Sequence, residues 1–286
     1  MSQKHIGGIG GSGLYQLSGL KDVREVKVST PFGDPSDVII TGNLDGVPMS
    51  FIPRHGRAHT FTPSEVPYRA NIYALKKVGV SHIISVSAVG SMREDVHPGD
   101  VVLVDQFFDR TKGRASTFFE GGCAAHVSFA EPVCPSLADD IHGVIKELGL
   151  PCHKGGTYIC MEGPAFSTKA ESQIYRKWGV DVIGMTNIPE AKLAREAELP
   201  FATMALVTDY DCWHDSHDAV TVEAVIATLK KNVANAQRII AGAVPKIRMG
   251  APSPAHNALA GAIMTQPDAI PPETRSRLSL LIDHRI

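Results

Sequence analysis

Two runs of this chain limit its fold more than any other feature. Residues 81–88 include His82-Ile-Ile-Ser-Val-Ser-Ala88, and residues 201–208 read Phe201-Ala-Thr-Met-Ala-Leu-Val-Thr208; neither contains Asp, Glu, Lys or Arg. Near-continuous apolar runs of strand length fit strands covered on both faces, in a sheet that carries helices on each side. Further strand candidates are 4–9, 37–42, 47–53, 100–105, 156–161 and 180–185. Helical patterns fall between them at 64–78 (with Ser64 as N-cap), 136–148, 168–178, 189–198 and 221–242. Gly149 and Gly179 stand where two of these helices should stop. Such alternation predicts an α/β fold on a mainly parallel or mixed sheet.

Composition removes several classes of function. A formal charge of −2 and a pI near 6.6 supply no field for nucleic acid or an anionic membrane. The five cysteines are odd in number and scattered, which fits free thiols in a reducing compartment better than disulfides or a zinc site. No apolar run approaches membrane-spanning length, so a soluble, cytoplasmic protein is expected. Composition shifts near residue 250. Residues 248–286 read as a C-terminal extension, a Pro/Ala-rich linker followed by a short apolar segment from Leu278 to Ile282, after a main domain over 1–247.

The chemistry-bearing motifs sit at the carboxyl ends of the expected strands, where open α/β sheets bind ligands. After 201–208 come Asp209 and Asp211, which in a strand would face one pocket together. Two carboxylates that close cannot both ionise cheaply, so one should hold a proton near neutral pH. An acid donor beside an acceptor suits an amino-substituted heterocycle. The N-terminal Gly7-Gly8-Ile9-Gly10-Gly11-Ser12-Gly13 contains GxGxxG. A nicotinamide site would need an acid at the end of the next strand, and 28–33 has none. An anion nest with the Ser12 hydroxyl remains, beside a simple tight turn. Arg54-His55 suits phosphate, with Arg bidentate and His donating a further bond. His55 and His59 lack a third ligand and a helix, so no metal is expected there. Ser85 to Ser91, Met161 to Thr168 and Gly184 to Glu190 complete the set.

In these motifs the chain resembles the trimeric purine nucleoside phosphorylase family, most closely its members acting on 5′-methylthio nucleosides. The resemblance runs over about residues 4–247 through GGSGL, PRHGRAHT, NIYALK, GSMRED, PGDVVLVDQFFDRT, EGPAFST, AES, MTNIPEA and TDYDCW. It implies a single α/β domain, a twisted mixed sheet or barrel flanked by helices, assembled as a homotrimer or hexamer. It also implies phosphorolysis of an N-glycosidic bond, with inorganic phosphate as co-substrate and no cofactor. By matching positions, Ser12, Arg54, His55, Ser87 and Thr186 would bind phosphate beside the Ala88 backbone. Phe166 and Ser167 would line the purine, Met185 the ribose, and Asp209 and Asp211 would read the base. Val222 and Val225 would wall the 5′ side, His126 would reach a neighbouring subunit's site, and Leu280 of the C-terminal segment is a candidate second cap. Ser12 and Ser87 stand where the family often has Thr, and Asn187 where a second Thr is common.

Breaking the glycosidic bond leaves positive charge on the sugar and negative charge on the purine. Phosphate below the sugar and a protonated Asp at the base would place charge where it develops. An apolar 5′ wall prefers a methylthio group to a hydroxyl. Three other readings share some of these features: a purine nucleoside phosphorylase of broader range (adenosine or inosine), a nucleosidase, which uses water and needs no phosphate, and a purine-binding module without a nucleophile site.

Overall fold

The computed structural model describes residues 3–11, 13–14, 16–214 and 222–286, apart from the side chains of 222–227. The first half of the chain forms β1 (Ile6–Gly10), β2 (Lys21–Val26), β3 (Ile39–Leu44), β4 (Val47–Pro53), α1 (Tyr68–Lys77) and β5 (His82–Ser91). The middle forms β6 (Val101–Val104), β7 (Gln106–Arg110), α2 (Pro135–Glu147), β8 (Cys152–Lys154), β9 (Thr157–Met161) and α3 (Lys169–Lys177). The last part adds β10 (Val182–Gly184), α4 (Asn187–Glu196), β11 (Phe201–Asp209), α5 (Val222–Ala243) and α6 (Pro272–Ile282). The result is an α/β fold on one mixed sheet of eleven strands.

The sheet runs β2-β3-β4-β1-β5-β10-β9-β7, and β11 joins β5 to β6 and β8. Strands β1, β4, β5 and β11 are parallel, whereas β10 runs against β5. Along β11, Ala205 and Val207 enter one core cluster while Met204 and Leu206 enter the other. The pleat therefore feeds both faces of the sheet. Helices α1 and α4 cover the first face with Ile72, Ala191 and Leu193; α2 and α5 cover the second with Leu137, Ile141, Ile239 and Ile240. All five cysteines are free thiols.

One local expectation is corrected. Helix α1 begins at Tyr68 with Pro67 at its N-cap, not at Ser64, whose hydroxyl donates to the Glu162 carboxylate instead. A proline disfavours helical geometry in the residue before it, so Pro67 delays the helix. In the glycine run two positions serve packing, while Ser12, the hydroxyl of the expected nest, lies outside the described residues. Gly8 and Gly10 lie inside β1, where an added methyl would come within 2.5 Å of the Phe51 ring and 2.2 Å of Leu14. By contrast, α3 starts where expected, closed by a capping box between Thr168 and Glu171.

Candidate active site

The site is built around one long strand. The β1 edge of β5 is paired with β1 over His82 to Ser85 and with β10 over Gly90 and Ser91, while β11 lines the other edge from Ile83 to Gly90. Residues 86–89 thus face a gap between two partners. Ala88 is exposed although every other residue of β5 is buried, which marks the floor of an open cleft. The Val86 carbonyl points to the gap side, where it accepts from Arg54 Nη1 at 2.9 Å. Residues two apart repeat this direction, so the Ala88 N–H faces the cleft as well. Because β10 runs against β5, its carboxyl end reaches this gap too. The motif Ser85 to Ser91 is therefore inside a strand, not at its end.

On one side of the gap lies Arg54, 2% exposed. Its Nε donates to Glu190 Oε2 at 2.8 Å and its Nη2 to Glu190 Oε1 at 2.9 Å and Ser85 Oγ at 2.8 Å. Burial weakens a guanidinium's hold on its proton, but the Glu190 charge more than offsets this and holds Arg54 above its usual value. Ser85 Oγ in turn donates to Glu190 and accepts from Asn187 Nδ2, while Asn187 Oδ1 is buried without a partner among the described residues. Ser87 Oγ lies 3.2 Å from Thr186 Oγ1 and 3.1 Å from the Tyr158 hydroxyl. Tyr158 fits behind them because residue 184 is glycine: a methyl there would meet its hydroxyl at 1.9 Å.

His55 corrects an expectation. Its Nδ1 lies 2.8 Å from the Phe61 carbonyl oxygen, which can only accept, so Nδ1 carries the hydrogen. Burial first, then the Arg54 charge, push the imidazole down to about 4. The ring is therefore neutral, Nε2 is an acceptor, and the donation expected of His55 is already spent on Phe61. His59 stacks on it at 4.4 Å, face to face rather than converging on a point. Ser12 lies outside the described residues.

Across the gap stand the two aspartates. They meet at one point of β5, since a methyl on Gly90 would sit 3.0 Å from Asp209 Oδ1 and 3.3 Å from Asp211 Cβ. The pleat does not bring them together. Asp209 ends β11 after a register shift, and Asp211 opens a short 3₁₀ turn with φ of +54°. The Asp211 N–H donates to Asp209 Oδ1 at 2.8 Å. Burial, with a smaller push from the Asp211 charge, raises the Asp209 carboxyl above the usual range. Thr208 Oγ1 is 2.6 Å from Asp209 Oδ2 and 3.1 Å from the Val89 carbonyl oxygen. One hydroxyl hydrogen cannot fully serve both; when it goes to Val89, a proton on Asp209 completes the shorter contact. Asp211 instead accepts from Ser167 Oγ at 2.8 Å and Ser172 Oγ at 2.5 Å.

Of the remaining candidates, Ser167 joins the aspartates, and Phe166, 79% exposed, follows directly from the same turn. Met185 has its carbonyl held by Arg114 Nη1 at 2.8 Å, and Arg114 also clamps the Ile188 and Glu162 carbonyls. His126 lies in a separate groove with Ser128, Pro254 and His256. Val222 opens α5 and Val225 follows within it, but their side chains lie outside the described residues. Sequence reasoning missed Glu190, Ser85, Tyr158, Arg114, Ser172 and Thr208 as partners. Glu190 carried a signal, an acid between Pro189 and Ala191 in a helix otherwise turned to the core; Arg114 carried none.

Residues 5–245 match the family model described as the phosphorylase superfamily, and the chain belongs to that family. Its curated relatives include the S-methyl-5′-thioadenosine phosphorylase of Geobacter sulfurreducens, 60% identical over 278 residues and 97% of each chain. The enzyme of the same name from Thermosynechococcus vestitus is 57% identical over 281 residues and 97% of each chain. Among solved structures, a methylthioadenosine phosphorylase from an antarctic soil metagenomic library is similar with a TM-score of 0.94 and 52% identity, covering 99% of this chain and 100% of that one. The methylthioadenosine phosphorylase of Schistosoma mansoni in complex with adenine has a TM-score of 0.83 and 34% identity, with 99% of both chains covered.

Proposed function

We propose that this protein is a pentosyltransferase that cleaves S-methyl-5′-thioadenosine with inorganic phosphate, releasing adenine and 5-methylthioribose 1-phosphate. The observation that supports the reading is that an acid pair and a cluster of hydroxyls beside a buried arginine both lie along the gap in β5. Phosphate sits on the hydroxyls of Ser87 and Thr186, the Ala88 N–H and the free Nη1 hydrogen of Arg54, with His55 and Ser12 beside it. One phosphate oxygen attacks C1′ as the C1′–N9 bond breaks and its electron pair moves into the purine. Asp209, whose burial favours the protonated form, gives its proton to N7 of the leaving base. Asp211, steadied by Ser167 and Ser172, accepts from the 6-amino group. A 6-oxo purine would set an acceptor against that carboxylate, which disfavours inosine.

Phe166 covers the purine, Met185 the ribose, and Val222 and Val225 the methylthio group. We read the working form as a homotrimer in which His126 of one subunit reaches the next site. The exposed apolar side chains Phe108, Ile174 and Trp178 support such an assembly. Among the described residues no helix is long and apolar enough to cross a membrane, which is compatible with a cytoplasmic enzyme. The test is to incubate methylthioadenosine with and without phosphate and identify the sugar by proton and phosphorus NMR. A phosphorylated sugar that forms only with phosphate is the expected product; free methylthioribose formed without phosphate would make the protein a nucleosidase.

A further inference from the structure

We propose that Arg114 is a positioning residue for phosphorolysis: it ties the turn carrying Phe166 and Ser167 to the segment carrying Met185 and Thr186, and so sets how the bound purine and the bound phosphate stand to one another. This rests on the reading of the protein as a phosphorylase with its phosphate in the β5 gap. The need for a tie comes from the sheet. Strands β9 and β10 run parallel and stay paired as far as Cys160 and Gly184. Beyond that pair the two chains part. One passes through Glu162 to Ser167, whose hydroxyl donates to Asp211. The other passes through Met185 to Thr186, whose hydroxyl meets that of Ser87. The ladder that keeps them in step stops where the base side and the phosphate side begin.

Arg114 stands at that place. Strand β7 pairs with β9 up to Arg110 and Met161, and the loop that follows brings Arg114 to the ends of β9 and β10. Its Nη1 donates to the Met185 and Ile188 carbonyls, both at 2.8 Å, and its Nη2 to the Glu162 carbonyl at 2.6 Å. Nη2 also lies 3.5 Å from the Met161 carbonyl oxygen, and Nε lies 3.4 Å from Glu162 Oε1. The Glu162 carboxylate is held in turn by the Ser64 hydroxyl and the Lys112 N–H. A guanidinium carries its N–H donors in one rigid plane, and here each of them faces a protein oxygen. None is left for a substrate, and the side chain is only 2% exposed. Arg114 therefore acts through the backbone it holds. Close packing seconds it: a methyl on Gly163 would come within 2.6 Å of Met185 Sδ.

Each half of the site has contacts of its own. Asp211 is steadied by Ser167 and Ser172, and Ser87 by Thr186 and Tyr158. What Arg114 adds is their spacing. Attack on C1′ needs a phosphate oxygen within about 3–3.5 Å and in line with the departing N9, and an error of about 1 Å costs about 100-fold. Its loss should therefore appear in turnover and spare the binding of either half.

The experiment compares the unaltered protein with Arg114→Lys. Turnover of methylthioadenosine is measured at saturating phosphate, and the separate binding of adenine and of phosphate by calorimetry. Lysine keeps the charge but concentrates it at one point, so it cannot span both sets of carbonyls. The expected result is a cooperative melt, affinities for adenine and phosphate within about threefold of the unaltered protein, and kcat lower by about 100-fold. A kcat within about threefold of the unaltered value would overturn the inference. So would loss of adenine or phosphate binding in step with kcat, because Arg114 would then support one subsite and not the spacing of two. Where Arg114→Lys does not fold, Arg114→Ala prepared in ethylguanidinium takes its place. Return of kcat with ethylguanidinium and not with ethylammonium is then expected; no return, or a chain that stays unfolded, would make Arg114 a support of the fold and overturn the inference. An unaltered protein that cleaves methylthioadenosine without consuming phosphate would instead sink the phosphorylase reading, so the two failures are told apart.

Discussion

Asp209 and Asp211 are two residues apart in the chain, and their side chains take different hydroxyl partners. The environment of Asp209 favours the neutral acid, first through burial and then through the neighbouring charge. Asp211 accepts three contacts from two serine hydroxyls. Under the proposed mechanism the general-acid role falls to Asp209 and the acceptor role to Asp211. Asp209→Asn should therefore lower turnover of methylthioadenosine by about 10²- to 10⁴-fold, the ordinary range for losing a general acid. Asp211→Asn should act chiefly on the Michaelis constant and on the choice between 6-amino and 6-oxo purines. The pH profile carries the sign. An acid that must be protonated loses activity as pH rises through its own raised pKa, so the alkaline limb should vanish in Asp209→Asn. Steady-state kinetics of both variants over a pH series check this; equal losses for adenosine and inosine would make the pair structural.

Between elements, the decisive link is the ion pair from the end of β4 to α4. Arg54 and Glu190 have side chains only 3% and 2% exposed. Removing one member of such a pair strands a buried charge and typically costs about 3–5 kcal/mol. Glu190→Ala should show that loss in denaturant melts, and added phosphate should restore more stability to it than to the unaltered protein, because the anion then meets an unmatched guanidinium. An unchanged melt would deny the pair its structural role. The elements themselves differ in how plainly the sequence announces them. Strands β5 and β11 are legible because both faces are covered and nearly every residue is buried and uncharged. Strand β2, Lys-Asp-Val-Arg-Glu-Val, is exposed along its length and has no apolar face to read. Strands β7 and β8 are short and partly exposed, and backbone pairing to β9 and β6 makes them strands. At the site, Arg54, Ser87, Thr186 and both aspartates were legible as motifs. Glu190 and Tyr158 were not legible as partners, because their roles depend on which strand the sheet sets beside β5.

At the scale of the molecule, the segment after residue 247 decides whether the chain has a detachable end. It carries α6, from which Leu278, Leu281 and Ile282 are at most 1% exposed and lie in the same cluster as Ile9 and Ile83. Polar ties run alongside: Arg285 and His284 bind Glu198, and Thr274 Oγ1 donates to the Gly121 carbonyl. Each buried aliphatic side chain is worth about 1.5–3 kcal/mol as an upper estimate. Three of them amount to about 5–9 kcal/mol, against about 5–15 kcal/mol for the whole stability of a domain. Truncation after Lys246 should therefore leave a chain that melts far below the full-length protein or does not fold, rather than a folded enzyme with an open 5′ pocket. A subtler change separates the two roles. Leu280 is only partly buried on α6, so Leu280→Ala should spare most of the stability. If α6 caps a 5′ pocket, the same change should lower the preference for methylthioadenosine over adenosine by a few fold, about the loss from one or two methylene-sized contacts. Circular-dichroism melts of both variants, with light scattering and the two-substrate ratio on Leu280→Ala, give the answer. A truncated chain that melts like the full-length protein would make residues 247–286 an independent appendage, and an unchanged ratio in Leu280→Ala would remove that residue from the pocket.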